Sequence, residues 1–136
     1  MADVKSPTDR PLSPHLQVYR ISMTFLMSGF HRATGFALYF GMLIPVAWLL
    51  AAATGPDWFE FVNGLLDTIL GRLVLFGYTW GLIHHMLGGV RHLIWDTGRG
   101  LDLESIELFA RLTLIGSVAI TAAVWLAAFA LGGLQI

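Results

Sequence analysis

The chain has 136 residues, of which 56% are hydrophobic and 12% are charged, and its mean hydropathy is +0.69. An ordinary soluble domain is about one-quarter charged, so this composition excludes that class and indicates a membrane protein. The formal net charge is -1 and the sequence has no basic block, so nucleic-acid binding is not expected. Cysteine is absent, which excludes disulfides and an iron–sulfur cluster held by thiolates of this chain.

Residues 1–21 form a polar segment before the first long apolar stretch. Three prolines interrupt this segment, at Pro7, Pro11 and Pro14, and proline does not fit the interior of a regular helix. We therefore predict an extended or turn-rich cytoplasmic arm that lies at the membrane surface.

Three long segments carry no Asp, Glu, Lys or Arg: residues 33–53, 73–90 and 112–136. Each is close to the ~20 residues that a helix needs to cross the hydrocarbon layer. The sequence therefore predicts an all-α membrane protein, in which residues 22–136 form one anchor domain of three transmembrane helices. We expect these helices at about residues 22–53, 65–96 and 105–133.

Local signals refine these three helices. Pro45 lies inside the first helix and is compatible with a kink. Residues 54–57 (TGPD) predict a turn, and the second helix is expected to start near Leu65. Ser105 is a suitable cap for the third helix, because a serine hydroxyl can accept a hydrogen bond from an N–H of the first turn.

The distribution of Lys and Arg predicts the orientation in the membrane. Cations cluster before or near the start of the first helix and around the connection between the second and third, at Lys5, Arg10, Arg20, Arg32, Arg91, Arg99 and Arg111. The connection between the first and second helices is mainly acidic. We therefore expect the amino terminus in the cytoplasm and the carboxyl terminus on the far, periplasmic side.

His85 lies within the second predicted helix, at membrane depth, where an ionisable side chain usually marks a functional site. Gly81 lies one turn before it, and Gly88 and Gly89 lie one turn after it. A histidine beside bare backbone suits a flat cofactor such as haem, whose iron takes imidazole as an axial ligand. Glycines alone also let neighbouring helices approach closely. Spacing leaves open whether His84 or His85 would be the ligand.

Polar residues of two helices meet at the cytoplasmic interface. Arg32 opens the first helix and Arg91 closes the second, and His85 lies about 9 Å deeper than Arg91. Haem propionates need cations, which Arg32 and Arg91 could supply. Ser28 and Arg32 lie one turn apart and could address one polar ligand. An arginine that reaches to lipid headgroups and a serine that bonds its own helix are the commoner arrangement.

Three motifs together resemble the cytochrome b anchor subunit family of succinate dehydrogenase, respiratory complex II. The first is residues 10–19 (RPLSPHLQVY), and the second is residues 28–35 (SGFHRATG). The third is residues 85–96 (HMLGGVRHLIWD), which fits H-x-x-x-G-x-R-H-x-x-x-D. The motifs and the three-helix layout cover nearly the whole chain.

The resemblance implies roles for individual residues. It implies that His85 is the axial ligand of the iron of haem b and that Ser28 and Arg32 bind ubiquinone. It also implies that His31 and Arg32 lie near the haem propionates. The residues expected to contact the cofactor are His85, His31, Arg32, Arg91 and His92.

The resemblance also implies partners: a second membrane-anchor subunit that gives the other haem ligand, an iron–sulfur subunit and a flavoprotein subunit. Succinate oxidation would then occur at the flavin, outside this chain, in a complex of the bacterial inner membrane. Two alternatives remain at this point. One is an anchor subunit of a fumarate reductase, and the other is a haem-free scaffold subunit of a membrane complex.

Overall fold

A computed structural model describes residues 20–132; residues 1–19, which contain most of the predicted arm and the first motif, and residues 133–136 lie outside the described part. The described residues form five helices and no strand. These helices are α1 (Met23–Gly41), α2 (Leu43–Thr54), α3 (Pro56–Leu66), α4 (Ile69–Asp96) and α5 (Leu103–Ala130).

Three segments are long and apolar enough to cross a membrane, which confirms the predicted fold class. They are Met23–Thr54, formed by α1 and α2, then α4 and α5. The first segment has a break at Met42, between α1 and α2. Pro45 lies three residues later and lacks an N–H, so it cannot donate to the carbonyl of Gly41. The break therefore has a local cause.

The predicted turn at residues 54–57 lies at Gly55, where α2 ends and α3 begins. The connection then continues as a helix, and this differs from the predicted start of the second span. Leu65 belongs to α3, so the expectation that α4 begins there was wrong. Pro56 occupies the first turn of α3, where its missing N–H costs no hydrogen bond. Thr68 then caps α4 by accepting a hydrogen bond from the N–H of Gly71 at 3.1 Å.

The third span also begins earlier than predicted. Asp102 is its cap, and its carboxylate accepts a hydrogen bond from the N–H of Ser105 at 2.9 Å. Ser105 is therefore the capped residue, and its prediction as the cap was wrong. The bond from Ser105 holds the pKa of Asp102 below its usual value, because it stabilises the ionised carboxylate.

Helix α4 packs against α1 and α5, and α1 and α5 also contact each other. The residues buried between the helices are mostly small or polar, and the larger apolar side chains point outward. This distribution is the reverse of a soluble core and is typical of a membrane protein, in which lipid solvates the apolar surface. The α1–α4 and α4–α5 contacts place the candidate site in the membrane-spanning part.

Candidate functional site

His85 is held against α1 through one nitrogen of its ring. Its Nδ1 lies 3.1 Å from the carbonyl oxygen of His31 and 3.4 Å from the hydroxyl of Thr34. The Thr34 hydroxyl is one turn from Phe30, to whose carbonyl it donates at 2.8 Å. A carbonyl oxygen can only accept, so Nδ1 of His85 carries the proton and donates. Nε2 therefore has the lone pair that a metal ligand needs.

The ring of His85 is half-buried, and no residue of the range 20–132 forms a hydrogen bond with its Nε2. Gly35 makes room for this ring on α1. A methyl group at Gly35 would lie 2.8 Å from Cε1 of His85, which is closer than real side chains approach. Metal-bound histidines commonly donate their second nitrogen to a carbonyl in this way, which fixes the ring. The geometry therefore favours His85 as a ligand.

The ring of His31 stacks on the ring of His85. Their centroids lie 4.1 Å apart and their planes differ by 7°. Gly88 of α4 provides the space, because a methyl group there would lie 2.5 Å from Nδ1 of His31. That Nδ1 is buried and has no hydrogen-bond partner in residues 20–132. His92 lies on the other side, with its ring centroid 5.2 Å from that of His31.

His84 faces a different helix from His85. It is 1% exposed, and its Nδ1 lies 3.2 Å from the hydroxyl oxygen of Ser117 on α5. Its Nε2 is buried and has no hydrogen-bond partner within the described chain. The two histidines that spacing could not tell apart therefore differ in their surroundings. Of these two residues, only His85 has an accessible nitrogen beside the rings of His31 and His92.

Arg91 lies on the face of α4 that carries His84, so the structure does not bring it into contact with His85. The side chain is 5% exposed, its guanidinium lies 5.1 Å from the ring centroid of Trp95, and its Nε has no hydrogen-bond partner among residues 20–132. A buried cation without a counter-anion is costly, unless a bound group supplies the anion.

Ser28 and Arg32 are exposed and lie one turn apart on α1. The described part of the chain gives neither of them a hydrogen-bond partner. Arg32 is adjacent in sequence to His31, so the pair borders the histidine cluster. The pair is therefore open to lipid or to another protein.

The glycines near His85 do not form the single empty slot that the sequence suggests. Gly88 is covered by the ring of His31, and nothing lies within 4 Å of the position of a methyl group at Gly81 or Gly89. Gly81 instead borders a groove of about 190 Å³ between the first span and α4. The groove is lined by Ala37, Leu38, Gly41, Ile44, Val74, Gly77, Tyr78 and Gly81.

Two features of this site were not found from the sequence: the seat of His85 on Gly35, and the partner of His84. Gly35 follows His31 by one turn, and Ser117 lies on a stripe of α5 that repeats every three or four residues: Ala110, Thr113, Ser117 and Thr121. The spacing of Gly35 and of Ser117 on their helices can be read from the sequence. The residue that each of them contacts depends on how the helices pack.

The described chain contains no group of three or more His, Asp or Glu side chains that could hold a metal ion by itself. His85 offers one nitrogen, which suits a metal that brings its other ligands with it. The fold and the site thus define a membrane protein of three spans, with a half-buried imidazole on α4 whose Nε2 has no partner among the described residues and with an exposed arginine nearby on α1.

The chain belongs to the succinate dehydrogenase/fumarate reductase transmembrane subunit family, whose model matches residues 6–126. Similar proteins include a succinate dehydrogenase cytochrome b556 subunit of Paracoccus denitrificans, which is 42% identical over 87% of this chain and 90% of the relative. Another cytochrome b556 subunit, of Rickettsia felis, is 32% identical over 85% and 90%. A mitochondrial cytochrome b560 subunit of Sus scrofa is 37% identical over 85% and 72%. The predicted family is therefore confirmed.

Proposed function

We propose that this chain binds haem b together with a second membrane subunit and forms part of the ubiquinone-reduction site of a bacterial succinate dehydrogenase. The observation that carries the proposal is the state of His85, whose Nδ1 donates to the carbonyl of His31 while Nε2 remains accessible. The names of the similar proteins, cytochrome b556 and b560 subunits of succinate dehydrogenase, support it. These names also favour succinate oxidation over fumarate reduction.

The residues around His85 fit a haem. In this proposal, Nε2 of His85 would bind the iron of haem b, and the bound haem would supply one-electron chemistry. The second ligand comes from the other anchor subunit. His84 forms a hydrogen bond with Ser117 of α5, and the ring of His31 stacks on the ring of His85. Both observations support a second iron ligand from outside the described chain.

The propionates of the haem are assigned to His31, Arg32, Arg91 and His92. Two buried atoms support this assignment, since Nδ1 of His31 and Nε of Arg91 both lack a partner in the described residues. A carboxylate would supply the acceptor that Nε of Arg91 needs, and the acceptor that Nδ1 of His31 needs in the tautomer with its proton there. Arg32 and His92 are exposed and border the same end of the cluster. For Arg91 to bind a propionate, that propionate must reach the side of α4 that faces α5.

Ubiquinone is assigned to Ser28 and Arg32. A hydroxyl donor and a cation one turn apart can both address a carbonyl oxygen, and both are exposed on α1. Arginine remains protonated at the membrane edge, so its charge is fixed. The side chains of Phe25 and Leu26 are exposed beside the pair and would accept the isoprenoid tail.

The chain would act within a larger succinate dehydrogenase complex. This chain would anchor an iron–sulfur subunit and a flavoprotein subunit, and succinate would be oxidised at the flavin of the latter. This chain alone would not oxidise succinate. The cations near the start of α1 and the end of α4 support an orientation in which these ends face the cytoplasm of a bacterial cell.

An optical difference spectrum of the purified complex tests the function. The reduced-minus-oxidised spectrum is expected to contain the alpha and Soret bands of a b-type haem, one haem for each copy of this chain. A complex that contains this chain and lacks both bands would identify it as a haem-free scaffold.

Reporter fusions test the orientation. A reporter fused after Ile136 should read as periplasmic, and one inserted near Gly100 should read as cytoplasmic, because Arg91, Arg99 and Arg111 flank the second position. Alkaline phosphatase and green fluorescent protein, used at both positions, report opposite sides and control for expression. Reversed labelling would place Ser28 and Arg32 on the wrong side for the soluble subunits.

A further inference from the structure

Two consecutive histidines connect α4 to two different helices. His85 donates to the backbone of α1, whereas His84 lies 3.2 Å from the hydroxyl of Ser117 on α5. Neighbouring residues on a helix point about 100° apart, because one turn contains 3.6 residues. A rotation of α4 about its axis would therefore lengthen at least one of these two contacts.

The direction of the His84–Ser117 hydrogen bond follows from the partners of Ser117. Its hydroxyl has one proton, which it donates to the carbonyl of Leu114 on its own helix at 2.9 Å. While this bond to Leu114 is made, the hydroxyl oxygen accepts from Nδ1 of His84, so the neutral ring then carries its proton on Nδ1. The opposite nitrogen, Nε2, has no partner in the described chain. The hydrogen bonding of His84 is thus directed to Ser117 alone.

The surrounding residues exclude water from the His84–Ser117 hydrogen bond and hold the imidazole of His84 in place. His84 is 1% exposed and Ser117 is fully buried. The indole of Trp80 lies against the imidazole, at 5.2 Å between centroids, and the ring of Phe30 on α1 meets its edge at 6.1 Å. Water cannot compete for the hydroxyl in such a place.

From this arrangement we infer that His84 is a positioning residue: its hydrogen bond to Ser117 fixes the rotation of α4 and thereby aims Nε2 of His85. This inference rests on the proposed role of His85 as a haem ligand. His84 does not touch the haem in this scheme. It acts through the backbone of α4, and Ser117 acts through His84.

Four variants of the full complex, reconstituted in lipid nanodiscs, separate this role from general packing. Ser117→Ala removes the acceptor and little volume. Thr121→Val is the matched control, because it removes an equally buried hydroxyl that bonds only the carbonyl of Ser117 on its own helix. His84→Asn keeps an N–H donor near the position of Nδ1, whereas His84→Leu removes it.

The expected result is a change in the haem signal without loss of the haem. The largest g value of the ferric haem, measured by electron paramagnetic resonance, and its midpoint potential should both shift in Ser117→Ala and His84→Leu. They should stay at the wild-type values in Thr121→Val, and His84→Asn should return toward them. Wild-type values in Ser117→Ala would overturn the inference.

Nitrogen-15 NMR of the histidines gives a readout that does not depend on haem. In the wild-type complex, Nδ1 of His84 should be protonated and Nε2 bare, and an Nδ1 that forms no hydrogen bond would overturn the inference even if no variant assembled. In Ser117→Ala the Nδ1 signal of His85 should move as well. A complex without haem would refute the proposed function, while these signals would still report the bond of His84.

Discussion

His85→Ala is expected to remove the b-type haem spectrum from the assembled complex. Neither neighbouring histidine is expected to replace Nε2 of His85, because His84 forms a hydrogen bond with Ser117 and Nδ1 of His31 faces Gly88. His84→Leu is the matched control, since it removes the adjacent histidine, and it should retain the haem with altered magnetic properties. Haem content is measured by the pyridine haemochrome method. An unchanged spectrum in His85→Ala would reject the ligand assignment.

Gly35→Ala tests the contact between Gly35 and the ring of His85 and leaves the histidine in place. The added methyl group would lie 2.8 Å from Cε1 of His85, so the imidazole must move. We expect several-fold lower haem occupancy. Gly29→Ala, on the same helix, adds a methyl group with nothing within 4 Å and should keep the wild-type occupancy. Equal occupancy in both variants would mean that the Gly35 contact does not position the ligand.

The three spans could be predicted from the sequence because their signal is simple. Long uncharged segments have few alternatives in lipid, where each backbone polar group must be paired within its helix. The residues at which the helices begin were harder to predict. Asp102 and Thr68 cap their helices, and the sequence also offered Ser105 and an unbroken helix from Leu65. Which residue caps depends on the path of the connecting segment.

The histidines show the limit of sequence patterns at the site. Position on a helix separated the stripe of His85 from that of His84, but it could not say which stripe meets α1 and which meets α5. That choice depends on packing, through Gly35 under one ring and Ser117 beside the other. The resemblance selected His85 first, and the contacts of the described chain give a physical reason for that selection.

Ser28 and Arg32 are a different case, because the structure adds exposure but no partner. Both are exposed on α1, and their role depends on what covers them. A pair that acts on quinone should contribute where negative charge develops on the quinone oxygens. Fixed donors in a site that excludes water stabilise such charge, and removal of one typically costs about 100-fold in rate.

Arg32→Leu and Ser28→Ala are therefore each expected to lower ubiquinone reduction by the assembled complex, by about 100-fold for the charged residue and less for the hydroxyl. Oxidation of succinate with an artificial acceptor that takes electrons before the quinone should remain at the wild-type rate, because it does not use this site. Arg111→Leu is the control, since Arg111 is an exposed arginine at 2.6 Å from Glu107 on α5. Normal quinone turnover in both variants would reject the site, and equal loss of both activities would indicate failed assembly.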